Sequence, residues 1–309
     1  MKWLWLVPLG LLSLAMLSAW GRGQIEREFP PVGRMIEVDG QRLHVLDQGE
    51  GPALILVHGA SSNLNDFAAS ILPELARTHR VLAFDRPGYG YSERGDEDWP
   101  DPQRLADLLL TAAQQLGAEQ PVMIGHSWAG SVVMSALVHY PERLRAGVLL
   151  SGVAGHWAGS VDWTYDLGAL PLIGPLFAHT LVYPAGKRLL PSAVTTVLAP
   201  NPVPEGYVEG IAAPLALRAS SFLHNVQDMR LLSEYMQTLS PRYREIQRPL
   251  LVIHGEADEL VPYWNHGQRL EPVIGSLQVA MLPGVGHAPH HAAPDAVIQS
   301  LRGFLAELP

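Results

Sequence analysis

The sequence contains no cysteine among its 309 residues. Disulfide bonds, thiolate nucleophiles and cysteine-ligated metal sites are therefore excluded. Charged residues make up only 17% of the chain, and no block of five or six basic residues occurs, so we do not expect nucleic acid as a partner. The chain also has no glycine-rich phosphate loop and no histidine pair with the spacing of zinc ligands. We therefore expect no cofactor and no metal.

Hydrophobic residues, by contrast, are abundant. They make up 48% of the chain, and the formal net charge is -9. A chain of this length and composition has enough apolar surface to form a substantial core and is not expected to be disordered. It is long enough for one large α/β domain that carries an insertion.

An uncharged apolar stretch from Trp3 to Trp20 follows Lys2 near the N-terminus. Its length lies between that of a signal-peptide core and that of a full membrane span. We expect an export signal at residues 1–22, either retained as an anchor or cleaved near residues 19–21, with a buried helix as the remaining alternative. An anchor would leave the rest of the chain facing the periplasm or the exterior, because Lys2 favours a cytoplasmic N-terminus, and cleavage would give a secreted protein. Residues 23–33 are predicted to be a linker.

Short apolar strands alternate with helical segments along the rest of the chain. A hairpin is predicted around Asp39 and Gly40. Continuous apolar runs predict strands buried on both faces, near residues 53–57, 81–84, 122–124, 147–150, 250–253 and 277–279. We therefore predict an α/β fold with a mostly parallel, doubly covered sheet. Its two parts are residues 34–152 and 246–309, and the intervening residues 153–245 are predicted to form a helical lid over the carboxyl edge of the sheet.

The strongest motif is Gly-His-Ser-Trp-Ala-Gly at residues 125–130. It follows a predicted buried strand and precedes a helical run, which is the context of a nucleophile elbow. In such an elbow a sharp turn exposes the serine hydroxyl, and small residues on both sides let the strand and the helix approach closely. We predict that Ser127 is the nucleophile.

A serine hydroxyl needs a base to remove its proton. Among 13 histidines, His287 follows the last predicted strand within a glycine-rich loop that can return towards the elbow. His290 and His291 are nearby alternatives. We predict that His287 is the general base.

A carboxylate should hold the histidine in the correct tautomer. Three acidic residues follow the preceding strand, and we select Asp258, with Glu256 and Glu259 as alternatives. The chain order serine, aspartate, histidine matches that of α/β hydrolases. Two backbone N–H groups are predicted to form the oxyanion hole, that of Ala60 after the first buried strand and that of Trp128 after the nucleophile.

These segments occur in the order found in one family. Together they resemble the α/β-hydrolase fold superfamily, in its lid-bearing group of serine esterases and lipases. The resemblance rests on residues 58–60, 85–92, 125–130, 254–258 and 286–287 and extends over about residues 34–308. It implies a structural turn at residues 85–92. A serine at the nucleophile position argues against the related epoxide hydrolases and haloalkane dehalogenases, which carry aspartate there.

We expect a hydrolase that cleaves carboxylic esters with apolar acyl groups of short to medium length through an acyl-enzyme intermediate. Fold and triad do not fix the substrate, so aminopeptidase, carbon-carbon bond hydrolase, perhydrolase and acyltransferase activities stay open. A non-catalytic, membrane-anchored binding protein is an alternative of another class.

The predicted lid has few basic side chains and many aromatic ones, which predicts an apolar pocket. Most of its aromatic residues are nevertheless expected to pack within the lid. The aromatic residues in question are Trp157, Trp163, Tyr165, Phe177, Tyr183, Phe222 and Tyr235, and Met236 is grouped with them. Between residues 153 and 240 the basic ones are Lys187, Arg188, Arg218 and Arg230.

Overall fold

The computed structural model describes residues 6–95, 101–159 and 162–308. Within these residues eight strands form one sheet. The strands are β1 (Arg34–Val38), β2 (Gln41–Gln48), β3 (Ala53–Val57), β4 (Arg80–Phe84), β5 (Val122–His126), β6 (Ala146–Leu150), β7 (Leu250–Gly255) and β8 (Leu277–Leu282).

The helices of the described residues lie between and around these strands. They are α1 (Leu6–Glu28), α2 (Asn65–Ala68), α3 (Leu72–Leu75), α4 (Pro102–Gln115), α5 (Gly130–His139), α6 (Trp163–Gly168), α7 (Ile173–Phe177), α8 (Tyr183–Leu198), α9 (Tyr207–Gly210), α10 (Ala219–Leu239), α11 (Pro289–Ala292) and α12 (Pro294–Ala306).

The strand order is β1-β2-β4-β3-β5-β6-β7-β8, and β2 pairs antiparallel with both β1 and β4. All other neighbours pair in parallel. The predicted hairpin and the six predicted strands are therefore present. The prediction of burial on both faces is wrong for the sixth, because β8 is an edge strand and Gln278 and Val279 are exposed. Parallel neighbours require crossover connections, and these connections provide the helices that cover the sheet.

Both faces of the sheet are covered by helices, as the continuous apolar strands predicted. On one face Leu109 of α4 and Val133 of α5 pack in the core, and on the other face Leu72 of α3 and Leu301 of α12 do so. Because successive side chains of a strand point to opposite faces, a strand buried on both sides must be apolar throughout. The predicted fold class is confirmed.

Helix α4 begins as its sequence predicts. The Asp101 side chain accepts a hydrogen bond from the backbone N–H of Gln103, and Pro102 occupies the first helical position. Proline is favoured there because its missing N–H would have no partner within the helix in any case.

The segment between β6 and β7 contains only helices among the residues that the structure describes, and we call residues 153–245 the lid. Its longest helix, α10, has 21 residues. Leu232 and Met236 of α10 are buried in the same core as α4 and α5, so this helix is anchored on the body of the protein.

Helix α1 is the one described helix that is long and apolar enough to cross a membrane. Apolar side chains of its first half, such as Leu9 and Leu12, are 56% and 55% exposed. Its second half packs on the lid, where Gly21 lies against the Tyr183 ring and Ser18 donates a hydrogen bond to the Thr180 carbonyl. A methyl group at Gly21 would collide with that ring, so glycine permits the close contact.

Residues 23–28 of the predicted linker are helical, because α1 continues to Glu28. No proline occurs between Pro8, in the first turn of α1, and Pro30, and Arg22 forms an i,i+4 ion pair with Glu26 at 2.9 Å, which supports the last turns. Of the predicted signal segment, Lys2 and residues 3–5 lie outside the described residues.

Candidate active site

The nucleophile elbow has the backbone that its motif predicted. Strand β5 ends at His126, α5 begins at Gly130, and Ser127 between them has φ +53°. A positive φ is costly for a non-glycine residue and is retained only where the surroundings impose it. A Cβ on Gly125 would lie 2.5 Å from the Ala129 carbonyl oxygen, so the close approach of strand and helix requires glycine there.

The three predicted triad residues meet at this elbow. His287 Nε2 lies 2.8 Å from Ser127 Oγ, and His287 Nδ1 lies 2.9 Å from Asp258 Oδ2. The alternative histidines, His290 and His291, contact Asp66 instead. A hydroxyl, an imidazole and a carboxylate are thus connected by consecutive hydrogen bonds, which is the geometry of a serine nucleophile with its base.

Asp258 is buried and has a hydrogen-bond partner for each oxygen. Oδ2 faces His287, while Oδ1 accepts hydrogen bonds from the backbone N–H groups of Leu260 and Val261, both at 2.9 Å. Burial alone would raise the pKa of Asp258, but the His287 interaction and the Val261 N–H lower it below its usual value. Glu256 and Glu259 are exposed, so neither competes for this position.

The loop after β3 forms the wall opposite His287. Gly59 approaches Ser127 so closely that a Cβ on it would lie 3.0 Å from the serine Cβ, and Ala60 and Trp128 line the same cavity. The His58 side chain stabilises this loop, because its Nδ1 donates a hydrogen bond to the Gly59 carbonyl oxygen at 2.8 Å. Burial and the nearby Arg86 charge lower the pKa of His58 to about 3, so the ring is neutral at physiological pH.

A buried polar network joins the lid to this loop, and the sequence motifs did not reveal it. Asp228 of α10 accepts hydrogen bonds from Arg86 at 2.8 Å and from the Tyr89 hydroxyl at 2.8 Å. Arg86 also donates to the Gly59 carbonyl at 3.0 Å, and Asn225 Oδ1 accepts from the Ser61 N–H at 2.9 Å. A charged Arg86 directly after a buried strand was the available signal, although nothing in the sequence named its partner.

A cavity of about 800 Å³ lies between the lid and the triad. Ser127 and His287 open into it, and four of the predicted lid aromatics line it: Trp157, Tyr165, Phe177 and Phe222. The other predicted lid residues do not line the cavity. Trp163 is 68% exposed, Tyr183 packs against α1, and Met236 is buried in the main core.

Charged side chains are rare on this cavity wall. Among the described lining residues there is no lysine or arginine, and none of the lid carboxylates, such as Asp162, Asp166 and Asp228, is present either. Asp66 is the carboxylate among the described lining residues. The wall therefore offers an acyl group mostly apolar contacts.

A second group of ionisable residues adjoins the elbow. One ligating atom each from Asp66, His126 and His290 lies within 4.8 Å of the others, and all three residues are buried. These residues could hold a metal ion, which the sequence analysis did not predict because they are far apart in the chain. Burial lowers the pKa of His290 to about 3, which leaves its imidazole neutral.

The sequence model of the alpha/beta hydrolase family matches residues 54–300. The chain belongs to this family. The match covers most of the chain and includes the elbow, the acid and the histidine. As in other alpha/beta hydrolases, the candidate catalytic side chains lie in the loops that follow the carboxyl ends of parallel strands, here β5, β7 and β8.

Known alpha/beta hydrolases of similar sequence and structure have several activities. The 2-hydroxymuconate semialdehyde hydrolase of Pseudomonas sp. (strain CF600) is 28% identical over 287 residues, which is 90% of this chain and 95% of that relative. A solved structure described as a membrane phospholipase A aligns over 99% of this chain and 96% of its own, with a TM-score of 0.70 and 20% identity. A meta-cleavage product hydrolase from Pseudomonas fluorescens IP01 aligns over 90% and 98%, with a TM-score of 0.69 and 21% identity. At such identities the solved structures show a shared fold.

Proposed function

We propose that this protein is a serine hydrolase that cleaves carboxylic esters with apolar acyl groups of short to medium length. The observation that carries the proposal is the apolar cavity of about 800 Å³ into which Ser127 opens. A cavity of this size and lining is typical of small-molecule sites.

In the proposed reaction, Ser127 Oγ attacks the ester carbonyl while His287 Nε2 accepts its proton. Asp258 stabilises the imidazolium that forms, and the N–H groups of Ala60 and Trp128 donate to the oxyanion. His287 then returns the proton to the departing alcohol, which leaves an acyl group on Ser127. A water molecule, activated by His287 in the same way, releases the acid and regenerates the serine.

The wall of the cavity supports an uncharged acyl group. Each methylene transferred from water to an apolar wall gains about 0.8 kcal/mol, or about fourfold in affinity. A substrate ammonium or carboxylate would lose its water shell without a described lysine, arginine or lid carboxylate to replace it. The same consideration disfavours charged peptides and sugars.

We expect p-nitrophenyl octanoate to be cleaved with a higher kcat/KM than the butyrate, and both faster than a prolyl arylamide. The Ala216→Phe variant, which fills part of the cavity, should lower kcat/KM for octanoate by about tenfold more than for butyrate. Steady-state rates on butyrate, octanoate and palmitate esters and on a phospholipid measure this preference. The phospholipid belongs in the panel because of the structural neighbour described as a membrane phospholipase A.

The matched control is Ala306→Phe, at an exposed position of α12 outside the cavity, which should keep the wild-type preference. Faster cleavage of the arylamide than of every ester would overturn the esterase proposal while leaving the triad intact.

Carbon-carbon bond hydrolysis is the second candidate, because the 28% identical relative is a 2-hydroxymuconate semialdehyde hydrolase. A muconate is a carboxylate, and the described residues around the cavity include no lysine or arginine to bind one. We therefore favour the ester. Turnover of 2-hydroxymuconate semialdehyde with a higher kcat/KM than any ester would reverse this order.

We further propose that α1 anchors the protein in a membrane, with the catalytic part outside the cytoplasm. Wild-type protein should then stay in the membrane pellet after washing with high salt and carbonate. The double variant Leu9→Arg/Leu12→Arg should be lost from that pellet, since each arginine at a helix centre opposes insertion by about 3 kcal/mol.

The matched control places two arginines on exposed apolar positions outside α1, Val273→Arg/Val279→Arg, and should fractionate as the wild type does. Wild-type protein released by carbonate would contradict the anchor. A mature N-terminus near Arg22 would instead indicate a cleaved signal and a secreted enzyme.

A further inference from the structure

The cluster of Asp66, His126 and His290 has no role in the proposed ester cleavage. We call it the Asp66 cluster. Its residues are 3%, 6% and 0% exposed. Asp66 Oδ1 lies 3.2 Å from His290 Nε2, and Asp66 Oδ2 lies 3.4 Å from His126 Nδ1.

Four polar atoms of this cluster are buried without a hydrogen-bond partner. They are Asp66 Oδ2, His126 Nδ1 and both ring nitrogens of His290. A buried polar atom without a partner destabilises the fold, and native proteins contain few of them. One such atom from each residue lies within 4.8 Å of the others, so the three surround a point that an occupant could fill.

The tautomer of His126 identifies the kind of occupant. His126 Nε2 lies 3.0 Å from the His287 carbonyl oxygen, which can only accept a hydrogen bond, so Nε2 carries a proton. In the neutral ring the Nδ1 lone pair then faces Asp66 Oδ2. A proton on Nδ1 would relieve this repulsion for His126 alone, whereas a metal cation would bind the Nδ1 lone pair, an oxygen of Asp66 and one ring nitrogen of His290 together.

We propose that Asp66, His126 and His290 bind a divalent transition-metal cation. Zinc ligands at 2.0–2.2 Å in a tetrahedron are roughly 3.3 Å apart. One ligating atom from each of the three residues lies within 4.8 Å of the others, so small side-chain shifts would bring the three to that spacing. Two imidazoles and one carboxylate suit zinc and similar metals better than magnesium or calcium, which prefer oxygen ligands.

His291 supports the site without completing it. Its Nε2 lies 2.8 Å from Asp66 Oδ1, where it orients the carboxylate. The bond from His126 Nε2 to the His287 carbonyl has the same effect on His126. Hydrogen bonds of this kind fix the orientation and the tautomer of metal ligands.

The cation would connect three segments that carry the candidate active site. Asp66 lies in α2 after the loop of residues 58–62, His126 directly precedes Ser127, and His290 follows His287 by three residues. Asp66 and His126 also line the main cavity, so a further coordination position can face it. The cation therefore has a positioning role. It would fix the elbow, the loop of residues 58–62 and the loop that carries His287 relative to one another.

The test uses full-length protein without a histidine tag, treated with a strong chelator and then returned to chelator-free buffer. Calorimetric titration with zinc chloride should give one equivalent bound, and excess zinc should raise Tm by about 5 °C, while magnesium should not. Mass spectrometry of the metal content before chelation identifies the native occupant. None of these measurements needs a substrate, so they fail or succeed independently of the esterase proposal.

His290→Gln should weaken zinc binding by about 100-fold or more, and His291→Gln by about 10- to 100-fold. His79→Gln is the matched control: His79 lies outside the cluster, hydrogen-bonded to Thr78 Oγ1, and its loss should leave binding unchanged. Wild-type protein that binds no zinc would overturn the proposal even if a variant fails to fold. Equal zinc binding by wild type and His290→Gln would overturn it as well.

Discussion

Replacing Ser127 with alanine is expected to lower kcat by about 10⁴-fold or more without unfolding the protein. The hydroxyl lies 2.8 Å from His287 Nε2, and no other described residue presents a nucleophile to that nitrogen. Alanine keeps the Cβ, so the strained backbone at φ +53° is not strained further. Hydrolysis of p-nitrophenyl butyrate measures the loss, and circular dichroism with thermal melting checks the fold.

Ser135→Ala is the matched control. Ser135 is another buried serine close to the elbow, and its hydroxyl contacts the Ser131 carbonyl and Tyr235 and does not contact the histidine. A fluorophosphonate should label the wild type and Ser135→Ala but not Ser127→Ala. A folded Ser127→Ala protein that keeps more than about a tenth of wild-type activity would show that another group is the nucleophile.

Asp258→Asn is expected to lower kcat by about 10³- to 10⁴-fold with little change in KM. The asparagine oxygen can still accept the backbone N–H groups of Leu260 and Val261, which directs its NH₂ group towards His287 Nδ1. The ring must then accept at Nδ1 and carry its proton on Nε2. In that tautomer it cannot take the proton of Ser127.

The controls for this variant are Glu256→Gln and Glu259→Gln, at the two exposed acidic positions beside it. Both should keep wild-type kcat. Loss of activity in either control, with Asp258→Asn unaffected, would show that Asp258 is not the orienting carboxylate. Because Asp258→Asn retains its backbone contacts, thermal melting should separate a catalytic defect from a folding defect.

The sheet and the candidate triad could be predicted because their signals are local. Strands buried on both faces, such as β7, must be apolar throughout, so a run like residues 250–253 identifies them. In a parallel sheet all carboxyl ends share one edge, so residues that follow such strands meet in space. Ser127, Asp258 and His287 each follow a strand, which made their proximity a consequence of the fold.

Contacts made across the fold had no local signal. Arg86 and Asp228 are 142 positions apart, and Asp66 and His291 are 225 positions apart. No spacing rule relates such residues, because their proximity depends on how α10 and α11 pack. For the same reason a search for short zinc-ligand spacings could not find the Asp66 cluster. The length of α1 was missed for another reason. The mixed charges that precede Pro30 and Pro31 suggested a linker, although charged residues do not end a helix as a proline does.

The buried pairing of Arg86 with Asp228 means that the lid is not an exchangeable module. Arg86 and Asp228 are almost fully buried, and separating such a pair leaves an uncompensated charge in the interior, at a cost of about 3–5 kcal/mol. A chimaera that receives a relative's lid must therefore keep an aspartate at 228 and an asparagine at 225, or lose the support of the Gly59–Ser61 loop. In evolution, substrate range and oxyanion geometry are thus inherited together, and new specificities should arise by substitutions on the cavity wall before wholesale replacement of the lid.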